Sequence, residues 1–555
     1  MTKSISLLDQ ETSVDNADSF VFADVSAGRD KRITAENLLE ALGGASESYV
    51  DDKALLLTSF FNVREFGAMG DGVTDDSDAI IAAISEIRAR GGGKIFFPKG
   101  TYMISKTLYL PSNIHMVGEG LDLTIIKNRN NAQLDSIVPW ESHESLTENI
   151  ERYRWRTMIA TDGSHWEVDE NVENGRIEDI GFDWNDLEIG SYSACPVMIG
   201  SANNFHLKNV KIFDALPPDL GSENRWRGVS VLFQFSENCS ISYSWIGASD
   251  YESVMVRYLS RSIHIHHNNF YIQKPPSFRN QSHAMQLAVP SIISGELDSE
   301  FGYHKPGPVF CYRNKVTLVS NVAHAFTSHT GRGFYVEYND IESIQASTPW
   351  IIKPFDGTED VRVTGNRIDI TKSQINPNGF SAINLDAGVG NAPCREVVIS
   401  QNKIFLNFTG SGYSELDRRP IIGGLGSQHF EVTISDNEIT IYDYSNQPFI
   451  CIGFSGQKYS VHGNRISFNN STETITEDGP IAMFLGRFSV DGAAVNNNHF
   501  FSPFQQVGKG IILDDSFSIS RLLITNNTVP RSVGTRITDD HPDQSGFIVD
   551  NNMNA

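Results

Sequence analysis

The sequence predicts an all-β solenoid, a single rod of stacked coils, and three observations carry the prediction. The pattern Asn-x-apolar, preceded each time by an alternating apolar stretch, recurs at Asn268, Asn366, Asn402, Asn437, Asn464, Asn498, Asn527 and Asn551. From Asn366 onward the steps are 36, 35, 27, 34, 29 and 24 residues, a period at which repeat units bury their apolar faces by stacking on one another. Glycine (45) outnumbers proline (21), Asn-rich turns recur, and long amphipathic helical stretches are nearly absent, which favours strands joined by tight turns. Finally, 555 residues with 40% hydrophobic content suffice for one large core.

One unit is then one coil. Asparagine suits the turn because it tolerates left-handed backbone and can hydrogen-bond to its equivalent in the next coil. Each coil advances by one strand spacing of ~4.8 Å, so roughly a dozen coils make a rod on the order of 60 Å long. Between Asn268 and Asn366 the spacing lapses, with only Ser320-Asn321-Val322-Ala323 between them, so loops are expected to leave the rod there. Two inserts are expected as loops: 128–175, with Trp140, Trp155 and Trp166, and the proline-rich 273–308. Long loops on a rigid scaffold are where sites usually lie.

Composition narrows the function. A net charge of -24, from 44 basic and 68 acidic residues, argues against a nucleic-acid partner or an anionic membrane. No secretory leader opens the sequence and no run reaches the ~20 apolar residues of a membrane span. Cys195, Cys239, Cys311, Cys394 and Cys451 are far apart, without CxxC or a paired-His metal spacing, so they read as buried thiols; no metal and no cofactor is expected.

Residues 1–60 read as a separate N-terminal module. A polar start leads to Phe20-Val21-Phe22, and Thr34 caps a short helix that Gly43 ends. The segment is similar to short modules that phage tail proteins carry ahead of their receptor-binding part, which implies attachment to other virion tail proteins.

Residues 61–120 hold the most specific stretch. Phe61 to Phe66 alternates as a strand, and GAMGDGVTDD is a turn. Ile80, Ala83, Ile84 and Ile87 then form the apolar stripe of a helix over 75–90, closed by Gly91-Gly92-Gly93, with strands at Lys94–Phe97 and Lys106–Leu110. Asp71, Asp75 and Asp76 read as turn and capping residues. This order closely resembles the opening of the pectate-lyase-like superfamily, in which the helix covers the first coil. The resemblance implies a right-handed single-stranded parallel β-helix over 61–555. Within that superfamily the chain looks like a bacteriophage tailspike, which implies a homotrimer on the virion tail acting on a bacterial surface polysaccharide.

Hydrolysis of a glycosidic bond needs a protonated acid and a second carboxylate, ~5–5.5 Å apart for retention and ~6.5–9.5 Å for inversion. In Gly333–Asp340, alternation puts Phe334, Val336 and Tyr338 in the core and leaves Tyr335, Glu337 and Asn339 outward. Asp386 also faces out, and Asp356 lies 30 residues before it, about one coil. Glu337, Asp356 and Asp386 are the first-choice catalytic set, with Tyr335 and Asn339 as sugar contacts. Asp250 and Glu252, in a stretch that loosely resembles the paired acids of polygalacturonase-like β-helices, are the second; the parity of Val254 and Val256 turns both inward unless the chain bends. The stretch Ala323–Arg332 is similar to His-containing segments of phage β-helix tail proteins. It offers different chemistry, in which His329, Arg332 and Lys353 serve a polysaccharide lyase as base and cations. Endo-glycosidase, lyase and non-catalytic adhesin therefore stand as the expected functions, in that order.

Overall fold

The structure is a computed structural model. It describes residues 19–24, 29–34 and, within 60–554, all but 138–154, 165–170, 186, 188–192, 214–227, 248–251, 274–281, 289–305, 320–322, 330, 345–349, 356, 373–379, 386–392, 409–418, 445–448, 472–480, 502–508, 514–518, 530–547 and 551–552. Residues Ser19–Asp24 and Arg29–Thr34 pair as an antiparallel hairpin. Thr34 is thus the last residue of a strand, and the helix expected to follow it lies outside the described residues.

From Phe60 onward the chain winds as a right-handed parallel β-helix with three faces. Each coil contributes one strand to each face, as in Glu252–Arg257, Ile263–His266 and Asn269–Ile272 on the first, second and third. The third face is a 16-stranded sheet, from Asp71–Asp75 to Met553–Asn554. At one strand spacing per coil the rod is about 70 Å long, a few coils longer than the repeat alone indicates. Isoleucine, valine and phenylalanine from all three faces fill one continuous core.

The helix runs Ser77–Ala89, burying Ile80, Ala83, Ile84 and Ile87, and packs on the first coils as expected. Asp75 accepts from the Ser77 backbone N–H, Asp71 from those of Val73 and Thr74, and the buried Asp76 from Met69 and Gly70. All three carboxylates are thus occupied in holding the turn. The strand expected over Phe61–Phe66 is shorter: Phe60–Asn62 is extended, and Val63–Phe66 is a 3₁₀ turn because the Asn62 side chain accepts from the Arg64 N–H and Gly67 closes the turn in left-handed conformation.

The recurring asparagines form a buried ladder. Asn268, Asn314, Asn339, Asn366, Asn402, Asn437, Asn464, Asn498 and Asn527 stack at the corner between the second and third faces. Each of the first eight donates from Nδ2 to the Oδ1 of the next, over 2.9–3.1 Å. Each Nδ2 also reaches a backbone carbonyl of the preceding coil, as Asn402 does with Val363. The left-handed residue is the one before each ladder asparagine: His267, Arg313, Tyr338, Gly365, Gln401, Asp436, Gly463, Asn497 and Asn526.

The coils continue between Asn268 and Asn366, where Asn314 and Asn339 extend the ladder; the loops expected there, and Asn321, lie outside the described residues. Other expectations are corrected. Because Tyr338 takes φ 54°, strand alternation ends at Glu337: Tyr338 is thrown outward at 56% exposure, and Asn339 turns inward at 1%. Likewise Trp155 is no loop residue but is buried on a first-face strand. All five cysteines are free and buried, as read from their spacing.

Candidate functional site on the first face

The outer side of the first face changes character along the rod. Near the N-terminal end it is apolar, with Cys195, Met198, Val229 and Leu232 in a cluster of their own; near the C-terminal end Leu425, Ile450 and Ile481 form another. Between them the same columns turn polar. Val229 pairs in register with Glu252, Glu252 with His283, and His283 with His324; Trp350 follows in the next coil and pairs with Ser381. The adjacent column runs Met255, Gln286, Thr327 and Lys353.

A local slip in alternation places these side chains. Ala284 with Met285, Ala325 with Phe326, and Ile351 with Ile352 are consecutive residues that both pack in the core. The residue before each pair therefore faces out. By the same bend Glu252, in register with His283, comes to the outer side. The sequence parity that turned it inward assumed a regular strand.

Glu252 is fully buried (0% exposed) and Lys353 nearly so (6%). His283 Nδ1 lies 3.2 Å from Glu252 Oε1. The His283 and His324 rings stack at 5.1 Å, and His324 stacks on Trp350 at 4.8 Å, 8° from parallel. Lys353 Nζ sits 4.0 Å from the Trp350 ring centroid and the Arg419 guanidinium 5.5 Å. His324 Nδ1 donates to the Trp350 backbone carbonyl at 2.6 Å, which fixes the tautomer and leaves Nε2 with its lone pair. Burial pushes the His324 pKa down to about 4, with Lys353 adding to the effect and the hydrogen bond to Trp350 opposing it. The ring is neutral at pH 7. His324 Nε2, Thr327 Oγ1 and Trp350 Nε1 are buried without a hydrogen-bond partner among the described residues. Leaving such atoms dry is costly; these three belong to this one stretch, and Trp155 Nε1, Ser230 Oγ and Gln234 Oε1 are further such atoms on earlier coils of the same face.

Of the residues singled out in the sequence, Glu252 and Lys353 belong to this site. His329 ends the Ala323–His329 strand of the same face, half-buried. Tyr335 and Glu337 lie around a corner on the second face, half-buried, with Arg332 exposed at the start of their strand. The coil neighbours of Glu337 are Tyr312 and Thr364, so Glu337 stands on a different face from the strand that ends just before Asp356. Asp250, Asp356 and Asp386 lie outside the described residues; the strand that ends at Phe355 just before Asp356, and Leu385 just before Asp386, belong to the first-face stretch of their coils. Sequence reasoning missed His283, His324, Trp350, Gln286, Thr327 and Arg419. His324 lies in the Ala323–Arg332 stretch, but its outward position depends on the double-inward slip, which a two-residue period does not show.

Residues 60–241 match the family model described as rhamnogalacturonase A/epimerase, pectate lyase-like. A tailspike protein mutant of E. coli bacteriophage HK620, solved in complex with pentasaccharide, superposes with a TM-score of 0.50 at 13% identity, covering 96% of this chain and 84% of that one. The fold is that of the pectate-lyase-like parallel β-helix proteins. Curated relatives share a short stretch. The mannuronan C5-epimerase AlgE1 of Azotobacter vinelandii is 46% identical over 74 residues, 12% of this chain and 5% of its own length. The SPbeta prophage-derived uncharacterized protein YomE of Bacillus subtilis (strain 168) is 35% identical over 99 residues, 16% and 15% of the two chains. The chain thus matches only a small part of either relative.

Proposed function

We propose that the protein is a bacteriophage tailspike that binds and cleaves a bacterial surface polysaccharide, capsule or lipopolysaccharide O-antigen, by endo-glycosidic hydrolysis on its first face. The observation that carries this reading is the buried polar band at Glu252–His283–His324–Trp350, set between apolar clusters on the same face. Folding gains nothing from such a band, whereas a hydroxyl-rich ligand supplies partners for its unpaired atoms. Glu252, held by His283, serves as the acid that protonates the leaving oxygen. The second carboxylate comes from Asp250, Asp356 or Asp386, which adjoin first-face strands in sequence. The reaction so read needs no cofactor or metal. Residues 1–60 form the attachment module to other tail proteins, and three chains assemble into the spike on the virion.

A second reading, β-elimination, rests on His324 and the cations. A neutral imidazole with Nε2 open is in the protonation state a base needs at neutral pH, and entry of an anionic sugar would raise its lowered pKa toward the working range; Lys353 and Arg419 beside Trp350 suit a sugar carboxylate whose charge grows as the proton leaves.

The test is a panel of purified capsular and O-antigen polysaccharides incubated with the protein, with products read by mass. Hydrolysis adds one water per cut, and Glu252→Gln lowers the rate by about 10²–10⁴-fold while binding persists. Products without added water that absorb in the ultraviolet, lost in His324→Ala, establish the lyase. A bound but uncut polymer establishes an adhesin. Full activity in Glu252→Gln with none in Glu337→Gln moves the site to the second face and defeats the assignment.

A further inference from the structure

Around one corner of the same coils, the second face carries a strip of aromatic rings. In the coils of Ser240–Ser242, Ile263–His266, Val309–Tyr312 and Arg332–Glu337 its outward positions hold His264, Phe310 and Tyr335 in one column and His266 and Tyr312 in the next. The rings contact one another along the rod: His264 on Phe310 at 4.5 Å, Phe310 against Tyr335 at 5.0 Å, His266 on Tyr312 at 4.8 Å, and Tyr243 on His267 at 4.8 Å. The strip is about 15 Å long. In later coils the His266–Tyr312 column continues as Thr364, Ser400 and Ser435, so the rings are a local feature and not a consequence of the fold.

Two tyrosines mark its margin, Tyr243 at 52% and Tyr338 at 56% exposure. Both have φ 54°, a left-handed conformation that a bulky side chain adopts only at a cost. At the same corner the other coils use Gly365 and Gly463, and also His267, Arg313, Gln401, Asp436, Asn497 and Asn526. Gly365 is itself needed for Tyr338, because a Cβ there would meet the Tyr338 ring at 2.5 Å. The left-handed turn recurs from coil to coil with the ladder, and at these two positions its effect is to present phenol rings to solvent.

We propose that this strip is a second glycan-binding surface, which holds the polymer beside the first-face site without taking part in its cleavage. The proposal rests on the glycan reading above and goes beyond it. The strip lies on the same coils as Glu252, His283 and His324, one corner away, so a polymer leaving that site reaches it directly. Its rings carry phenol hydroxyls and imidazole nitrogens at their edges, matching a ligand that offers C–H faces and hydroxyls together. A second protein copy fits less well, because acidic residues are depleted at interface centres, whereas Glu337 stands within the strip. Burial, together with the neighbouring imidazoles of His267, His264 and His206, holds His266 at about 4, so its ring is uncharged at neutral pH.

The test uses Tyr243→Asn and Tyr338→Gly together, in the full chain carrying Glu252→Gln, with the same polysaccharide panel as probe and calorimetry as readout. Both replacements suit the left-handed backbone, so the melting temperature stays equal or rises. Affinity for intact polysaccharide falls by about tenfold or more. Unchanged affinity in a folded variant overturns the strip alone. A Glu252→Gln parent that binds no member of the panel overturns the glycan reading and the strip with it. A variant that binds glycan as before but loses its oligomeric state shows the strip to be an interface between copies, which also overturns the proposal.

Discussion

His324 concentrates the physics of the candidate site in one side chain. Its imidazole is buried, stacked between His283 and Trp350, and pinned at Nδ1 by a backbone carbonyl. Desolvation opposes the charged form, so the folded-state pKa of about 4 lies below the ordinary 6.5. Between those values the unfolded chain binds more protons than the folded one, and stability therefore rises with pH. The contribution is complete above 6.5 and is lost as pH falls toward 4, at about 1.4 kcal/mol per pH unit. The unfolding midpoint of the protein should fall between pH 7 and pH 5, a range in which most carboxylates stay ionised. In His324→Gln the fall should be shallower. Equal slopes for the two proteins would mean that the fold does not lower the His324 pKa, and the buried, desolvated state assigned to its ring would be wrong.

At the scale of the element, the coil is the unit and the asparagine ladder is its clasp. Asn402 accepts through Oδ1 from the Asn366 backbone N–H and Nδ2, and donates to Val363 O and Asn437 Oδ1. Asn402→Ala strands both Asn366 donors and the Val363 carbonyl in a dry corner, and an unmet buried group costs ~1–3 kcal/mol. The substitution should therefore destabilise by about 3 kcal/mol or more in denaturant unfolding, while Gln401→Gly, one residue earlier at φ 57°, should be neutral or stabilising. The same ladder shows what was legible in the sequence. Asn268 and Asn366–Asn527 announced the coils because Asn-x-apolar is a local pattern. Asn314 and Asn339 match that pattern equally well, yet the irregular sequence spacing between Asn268 and Asn366 concealed them. Asn339 was consequently assigned to a sugar surface that it does not reach. The helix, the turn acids and the buried cysteines followed from short-range rules, and those hold. The first-face site did not, because His283, His324 and Trp350 come from three coils and meet only through inter-coil register and the slipped alternation.

For the whole molecule, the question is what a long acidic rod does with its flanks. The three faces share one core, and the whole chain carries a net charge of -24, so copies of it repel at long range. The proposed trimer must overcome that repulsion with contacts along one flank, closed by a three-fold axis. Screening acts on the repulsion far more than on close contacts. The Debye length shrinks from ~30 Å at 0.01 M salt to ~8 Å at 0.15 M, which spans the separation expected between charges on neighbouring rods. Light scattering at micromolar concentration and 0.15 M salt should give about three times the 61.6 kDa of one chain, and the trimer fraction should decline as salt is withdrawn. A monomer that persists across the whole salt range would defeat the assembly, and would require the polysaccharide to be gripped by one rod alone. The first-face site and the second-face strip would then have to account for the full affinity.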